Sequence, residues 1–325
     1  MSRKITIIMK WITQRGALRP LFRFVDFIWG EILLSRQLRQ AGLSISKDRT
    51  RIDFTVGAKT VRLHKRHAIY SGDIINGFNY YFDSVESFLE DGQQIVDFST
   101  PKFHTVKGFE LIPVHFPSLA EPIETTLQYI KFANLRPGDT VLDLGAYSGL
   151  TSILFKGIVG REGRVVAVEA DLENLTSLEK NLALYKKVSG MDIDVIQHAI
   201  WNHSEGVSFS TEGSMGSSAS SIVGLGRGDI KLIDSITLSD AVKRLKLTDV
   251  TFVKCDIEGA ESVIFEDSDF FAEFSPRIIV ETHTVGGNLT TEKVKQDLGK
   301  FGYSFNLVPQ PGSPFPLLEC APTSR

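Results

Sequence analysis

Three carboxylates, Asp256, Glu258 and Glu261, follow one another within six residues, directly after the apolar run at 250–255. A short apolar run of this kind reads as a buried strand. Open α/β sheets bind their ligands just beyond the carboxyl ends of such strands. Acids in that place can stabilise a cation, orient a polar acceptor or take a proton. Glu261 has a second reading, as a helix N-terminal acid that complements the dipole. Another acid, Glu169, closes the run at 165–168, 26 residues after Asp143. At the end of a second strand a carboxylate can accept hydrogen bonds from both hydroxyls of a ribose. The run at 141–144 leads into Gly145-Ala146-Tyr147-Ser148-Gly149, where glycines permit positive φ and close approach of backbone to a ligand. The six-position dinucleotide fingerprint is not met there. His283 follows a further apolar run. Its ordinary pKa near neutrality suits a proton carrier, while a lone histidine at a strand end also serves as a structural hydrogen-bonder.

These residues need a frame to hold them, and the pattern from residue 121 onward supplies one. A helix is expected at 121–134 and strands at 140–144, 165–168, 193–200, 250–255 and 278–280. Helices are expected at 149–159, 172–185, 239–247 and 292–301, and a terminal hairpin at 303–308 and 317–321. Strand alternating with helix implies a mostly parallel sheet covered on both faces. A glycine- and serine-rich insertion at 211–229 follows the third strand. It reads either as a lid over the substrate mouth or as an ordinary flexible loop.

Asp-Leu-Gly-Ala-Tyr-Ser-Gly at 143–149, Val-Glu-Ala-Asp at 168–171 and Lys-Cys-Asp-Ile-Glu-Gly-Ala-Glu at 254–261, in this order, resemble the FkbM-type methyltransferases. These are a branch of the class I S-adenosylmethionine enzymes, and the resemblance spans about residues 121–322. It implies an α/β fold, a Rossmann-like seven-stranded methyltransferase sheet whose last strand is antiparallel. It implies S-adenosyl-L-methionine as cofactor, with Asp143, Gly145 and Gly149 on its methionine side and Ala146, Tyr147 and Ala170 among the residues that bind it. Glu169 would lie at its ribose, His198 and Ala199 near adenine, and Asp256 beside the sulfonium. Asp256, Glu258 and His283 are the candidate catalytic residues. Tyr147 departs from the family, which has a smaller polar residue there. The resemblance implies methylation of a hydroxyl oxygen, often on a sugar or glycosylated metabolite, so the expected acceptor is a glycan or small molecule. A nicotinamide-dependent oxidoreductase and an inactive methyltransferase fold that binds a partner are the alternatives. No metal site is expected, although Asp256, Glu258, Glu281 and His283 would make a donor set if the fold brought them together.

The 325 residues are 42% hydrophobic and 23% charged, ordinary values for a globular protein. A net charge of −3 makes no case for nucleic acid. Two cysteines, Cys255 and Cys320, cannot build a disulfide framework, and a cytoplasmic setting fits. The division expected is a basic amphipathic helical segment at 1–49, a smaller β-rich region at 50–118 and the methyltransferase domain at 119–325. The region at 50–118 carries a hairpin at 52–64, turning at Gly57-Ala58-Lys59, and two strand-like runs around Lys107-Gly108. Residues 1–40 hold eight bases and two acids. Their apolar stretch is interrupted by Arg23, Asp26 and Glu31, so neither a membrane span nor a signal peptide is expected. The segment reads either as a helix docked on its own protein or on a second subunit of a homo-oligomer, or as a helix lying on a membrane surface.

Overall fold

The structure, a computed structural model, describes residues 42–121, 123–211, 213–214, 218–219, 229–310 and 315–323. The expectations for residues 1–40 and for most of the insertion after 211 lie outside the described residues.

Seven strands form the central sheet: β8 (Thr140–Leu144), β9 (Arg164–Val168), β10 (Asp194–Ile196), β11 (Phe252–Cys255), β12 (Arg277–Glu281), β13 (Tyr303–Val308) and β14 (Leu317–Pro322). Their order is β10-β9-β8-β11-β12-β14-β13. The first five run parallel, and β14 pairs antiparallel with both β12 and β13. Alternate residues of each strand serve opposite faces. Leu142, Val166, Val253 and Ile278 pack with α6 (Leu238–Leu245), α7 (Ser268–Glu273) and α8 (Thr291–Gly299). Val141, Val165, Phe252 and Ile279 pack with α3 (Ile123–Ala133) and α4 (Leu150–Val159). This two-sided burial is why these strands read as almost unbroken apolar runs.

The third strand departs from expectation. The run at 193–200 divides, and Ala199–Ile200 leaves the sheet to pair in parallel with Ser235–Ile236. The chain between, at Val207–Thr211 and Asp229–Ile233, forms an antiparallel pair joined by Ser218–Ala219. Gly213 and Ser214 are buried, the Gly213 N–H donating to Asp171 and the Ser214 carbonyl accepting from Asn174.

The leading region carries a five-stranded sheet of β1 (Ser44–Lys47), β2 (Arg51–Val56), β3 (Lys59–His64), β4 (Phe88–Glu90) and β5 (Gln93–Phe98). A hairpin of β6 (Lys102–Val106) and β7 (Phe109–Phe116) follows. The β2–β3 hairpin and its Gly57-Ala58 turn stand as expected. The region also holds α1 (Ser71–Asn76) and α2 (Phe78–Ser84), which the sequence pattern does not predict. Each is short and the two meet at Gly77, so packing rather than propensity holds them. Strand β7 is fastened to α5 (Leu172–Ser189): the Asn181 side chain accepts from the His115 N–H at 2.7 Å and donates back to the His115 carbonyl at 2.9 Å. No helix among the described residues is long and apolar enough to cross a membrane.

Candidate active site

The carboxyl ends of β8, β9, β11 and β12 open into one cavity of about 570 Å³, within the range of small-molecule and cofactor sites. Gly145 leaves β8 with φ +77°, and a Cβ on it would lie 1.8 Å from the Asp256 carbonyl oxygen. Only glycine lets the exits of β8 and β11 meet this closely. Gly149 (φ +80°) is similarly bare, because a Cβ there would strike Leu178 of α5 at 2.3 Å. Tyr147 takes a left-handed conformation, φ +49°. Its ring turns away from the turn into the core shared with the leading region, and its hydroxyl donates to the Leu119 carbonyl at 2.8 Å. Tyr147 therefore ties the glycine turn to the chain segment that leads into α3.

Glu169 stands at the end of β9 with its carboxylate gathered by backbone. It accepts from the N–H groups of Tyr147, Ala170 and Asp171, each at 2.8 Å. Burial pushes its carboxyl up to about 7. Ala170, His198 and Ala199 share the cavity wall. The Nε2 of His198 faces Arg244 at 3.1 Å, which makes this nitrogen an acceptor, and burial followed by Arg244 lowers its pKa.

Asp143, Ala146 and Gly149 do not line the cavity; they stand behind it. Asp143 is fully buried, accepting from Ser152 Oγ at 2.5 Å and lying 3.3 Å from Lys254 Nζ. Lys254 is the residue that sequence reasoning passed over. Its ammonium donates to the Gly145 carbonyl at 2.7 Å and sits 3.8 Å from Asp256. Burial would lower its pKa, but Asp143, Asp256 and Glu121 overrule that and raise it. A lysine inside an otherwise apolar strand was the available signal, since a buried charge requires a partner. Glu121 is another unforeseen member. Ser148 Oγ donates to it, and burial lifts its carboxyl to about 8. Nothing in the local sequence marks it.

Beyond β11 the chain turns through Ile257-Glu258-Gly259. Glu258 has φ +53°, a left-handed conformation that is strained for a non-glycine residue and of the sort that clusters at functional sites, and Gly259 follows at φ +104°. The turn brings Glu258 Oε1 to 3.6 Å from His283 Nε2, with Asp256 Oδ1 at 3.7 Å from the same nitrogen. On the other side of the ring, Nδ1 lies 3.2 Å from Glu261, which also accepts from the His283 N–H at 2.9 Å and from Thr290 Oγ1 at 2.9 Å. Burial favours the neutral imidazole, but Glu258, Glu261 and Asp256 outweigh it and hold the pKa well above its ordinary value. Burial would likewise raise Glu261, and His283 instead holds its carboxyl low. Glu281, at the end of β12, is pushed up to about 7 by burial and the Asp256 charge. The fold thus brings all three candidate catalytic residues together. The leading region adds a wall that the sequence did not reveal: Tyr70, Asp73, Asn76 and Tyr80 face the same cavity. The Tyr70 hydroxyl lies 2.9 Å from Ser214 Oγ, so the helical segment at 65–84 and the start of the insertion meet over the cavity.

A seven-stranded sheet of this order, with a glycine turn after its first strand and an acid at the end of its second, defines a Rossmann-like methyltransferase fold. The sequence profile of the FkbM methyltransferase domain matches residues 143–305, half of the chain, and the protein belongs to that family of methyltransferases. Its cofactor is S-adenosyl-L-methionine. No curated protein matches the sequence. Among solved structures, the chain resembles a methyltransferase FkbM from Methylobacillus flagellatus KT at 18% identity, over 60% of this chain and 50% of that one, with a TM-score of 0.41. It also resembles a precorrin-6y C5,15-methyltransferase from Geobacter metallireducens GS-15 at 14% identity, over 61% and 86%, TM-score 0.38. An RNA methyltransferase from Salinibacter ruber in complex with S-adenosyl-L-homocysteine gives 11%, 64% and 96%, and 0.36. At these values none of the likenesses bears on the acceptor.

Proposed function

We propose that the protein transfers a methyl group from S-adenosylmethionine to a hydroxyl oxygen of a sugar, glycan or glycosylated metabolite. The observation that carries this reading is the single cavity that joins a buried acid at the end of β9 to an acidic wall at the ends of β11 and β12. The cofactor fits these residues. Glu169 would take the ribose hydroxyls, Ala170, His198 and Ala199 would border the base, and Gly145 and Tyr147 would border the methionine portion. Bound there, S-adenosylmethionine supplies an electrophilic methyl group. Asp256, Glu258 and Glu281 offer negative charge to a sulfonium, while Lys254 fixes the backbone that shapes the pocket.

With no metal ion bound, Glu258, Glu261 and Asp256 favour the protonated form of His283, in which the ring donates rather than accepts. In this reading Asp256 would take the hydroxyl proton as the acceptor oxygen gains the methyl group and the carbon–sulfur bond breaks, with S-adenosylhomocysteine as the leaving group. The wall of Tyr70, Asp73, Asn76 and Tyr80 pairs flat aromatic surface with polar groups, a combination suited to a hydroxyl-rich ring. The basic, apolar run within residues 1–40 suits an acceptor carried on an anionic membrane surface. The test is a mass-spectrometric screen of candidate glycans with wild-type and Asp256→Asn protein. A gain of one methyl group, dependent on S-adenosylmethionine and lost in the variant, is expected. Methyl transfer only to non-carbohydrate acceptors would overturn the acceptor class.

A further inference from the structure

We infer that Asp256, Glu258 and His283 form a binding site for one divalent cation of the magnesium–manganese class, at the acceptor end of the cavity. The inference rests on the methyl-transfer reading and adds a cation to that same site. One ligand atom from each residue lies within 4.8 Å of the others, and His283 Nε2 is 3.7 Å from Asp256 and 3.6 Å from Glu258. Neighbouring ligands of a small octahedral cation at 2.0–2.1 Å stand about 3 Å apart. Each carboxylate has to close on the ring nitrogen by about 0.6–0.7 Å, and the two on each other from a separation within 4.8 Å, to meet that spacing. Both are partly exposed, 31% and 26%, so side-chain rotation suffices.

Two features separate this group from a surface cluster of acids. The first is the outer nitrogen of His283, whose nearest acceptors are the two carboxylates of the donor set. The residue is 5% exposed, yet no acceptor comes within hydrogen-bond distance of Nε2 among the described residues, and this atom points between the two carboxylates. The second lies outside the donor set. Glu261, fully buried, holds Nδ1 and the backbone N–H of the same residue and is itself held by Thr290. A carboxylate fixing the far nitrogen of a histidine is the arrangement that orients metal-ligating imidazoles. One nitrogen and two carboxylate oxygens suit manganese or magnesium with further positions left to water or to oxygens of the acceptor. Coordination through Asp256 Oδ1 leaves its Oδ2 beside Lys254. The absence of a metal expected from the sequence arises because residues 256, 258 and 283 are brought together only by the β11–β12 pairing and the left-handed turn at Glu258.

The probe is Mn2+, titrated into metal-stripped full-length protein and followed by electron paramagnetic resonance and calorimetry, with Mg2+ as competitor. One Mn2+ per chain is expected. His283→Ala and Glu258→Gln should each weaken uptake at least tenfold. Glu261→Gln should weaken it by about ten- to a hundredfold through the misoriented ring. Circular dichroism establishes that each variant is folded, and Glu258→Gln is the conservative control because its side chain reaches solvent. S-adenosylhomocysteine is titrated into the same samples. Metal-free protein that binds S-adenosylhomocysteine but takes up no stoichiometric Mn2+ overturns the cation site and leaves the methyl-transfer reading standing. Uptake unchanged in both Glu258→Gln and His283→Ala overturns it equally. Mn2+ bound through these residues by a protein that ignores S-adenosylhomocysteine upholds the site and removes the reading on which its role rests.

Discussion

Replacing Lys254 with methionine keeps the length of the side chain and removes one buried charge. The consequence follows from what the ammonium touches. It stands 3.3 Å from Asp143 and donates at 2.7 Å to the carbonyl of Gly145. Asp143 is fully buried and keeps only the Ser152 hydroxyl once the lysine is gone. Breaking a buried pair by removing one partner costs about 3–5 kcal/mol, because the remaining charge is left uncompensated. That is a large share of the roughly 5–15 kcal/mol by which native proteins are stable. Lys254→Met should therefore lose about 3–5 kcal/mol in urea unfolding. Asp143→Asn combined with Lys254→Met should recover much of that loss, since an uncharged pair leaves no orphaned carboxylate. The freed Gly145 carbonyl should also loosen the turn, so S-adenosylhomocysteine affinity should fall even where the variant remains folded. A Lys254→Met protein within about 1 kcal/mol of wild type, or a double variant no more stable than the single one, would refute the pairing as the support of the glycine turn.

Three further outcomes are expected. Glu169 has its carboxyl raised from 4.5 to about 7, so its contribution to stability is fully present below about pH 4.5 and is lost as pH rises through 7; the swing is about 3 kcal/mol. Unfolding of ligand-free wild type across that window should show a steeper loss than Glu169→Ala, in which Glu281 and Glu121 still titrate, and identical slopes would contradict the buried assignment. Asp256→Asn should keep most of the S-adenosylhomocysteine affinity while turnover of an identified acceptor falls by about two orders of magnitude; full turnover would remove Asp256 from the chemistry. Wild-type protein should sediment with anionic liposomes at low salt and be released at high salt, and a chain lacking residues 1–40 should not sediment; intact protein remaining in the supernatant would exclude membrane contact through that segment.

The sheet was legible because its strands are buried on both faces and separated by amphipathic helices, so runs such as 140–144 and 250–255 have no alternative partner. The terminal hairpin, with β14 antiparallel, followed from the family resemblance and from two short apolar runs. The division of the third strand was not legible, because Ala199–Ile200 is as apolar as the strand it leaves and only its pairing with Ser235–Ile236 draws it away. Site residues carried by a strand end, such as Glu169, Asp256 and His283, could be placed from the pattern alone. Asp143, which the resemblance put on the methionine side of the cofactor, instead faces Lys254 behind the cavity. The wall from Tyr70 to Tyr80 was hidden because short, glycine-interrupted helices carry little local signal. Its approach to the cavity depends on contacts between residues far apart in sequence, such as Tyr70 with Ser214.

The account depends most on the cavity at the ends of β8 and β9 being where S-adenosylmethionine binds. Calorimetric titration of S-adenosylhomocysteine into wild type and Glu169→Ala tests this directly. The account predicts one site per chain in wild type and a ten- to hundredfold weaker one in the variant, roughly the 1.5–3 kcal/mol of a lost hydrogen bond to a charged group. Equal affinity in the two proteins, or no binding to wild type, would contradict it.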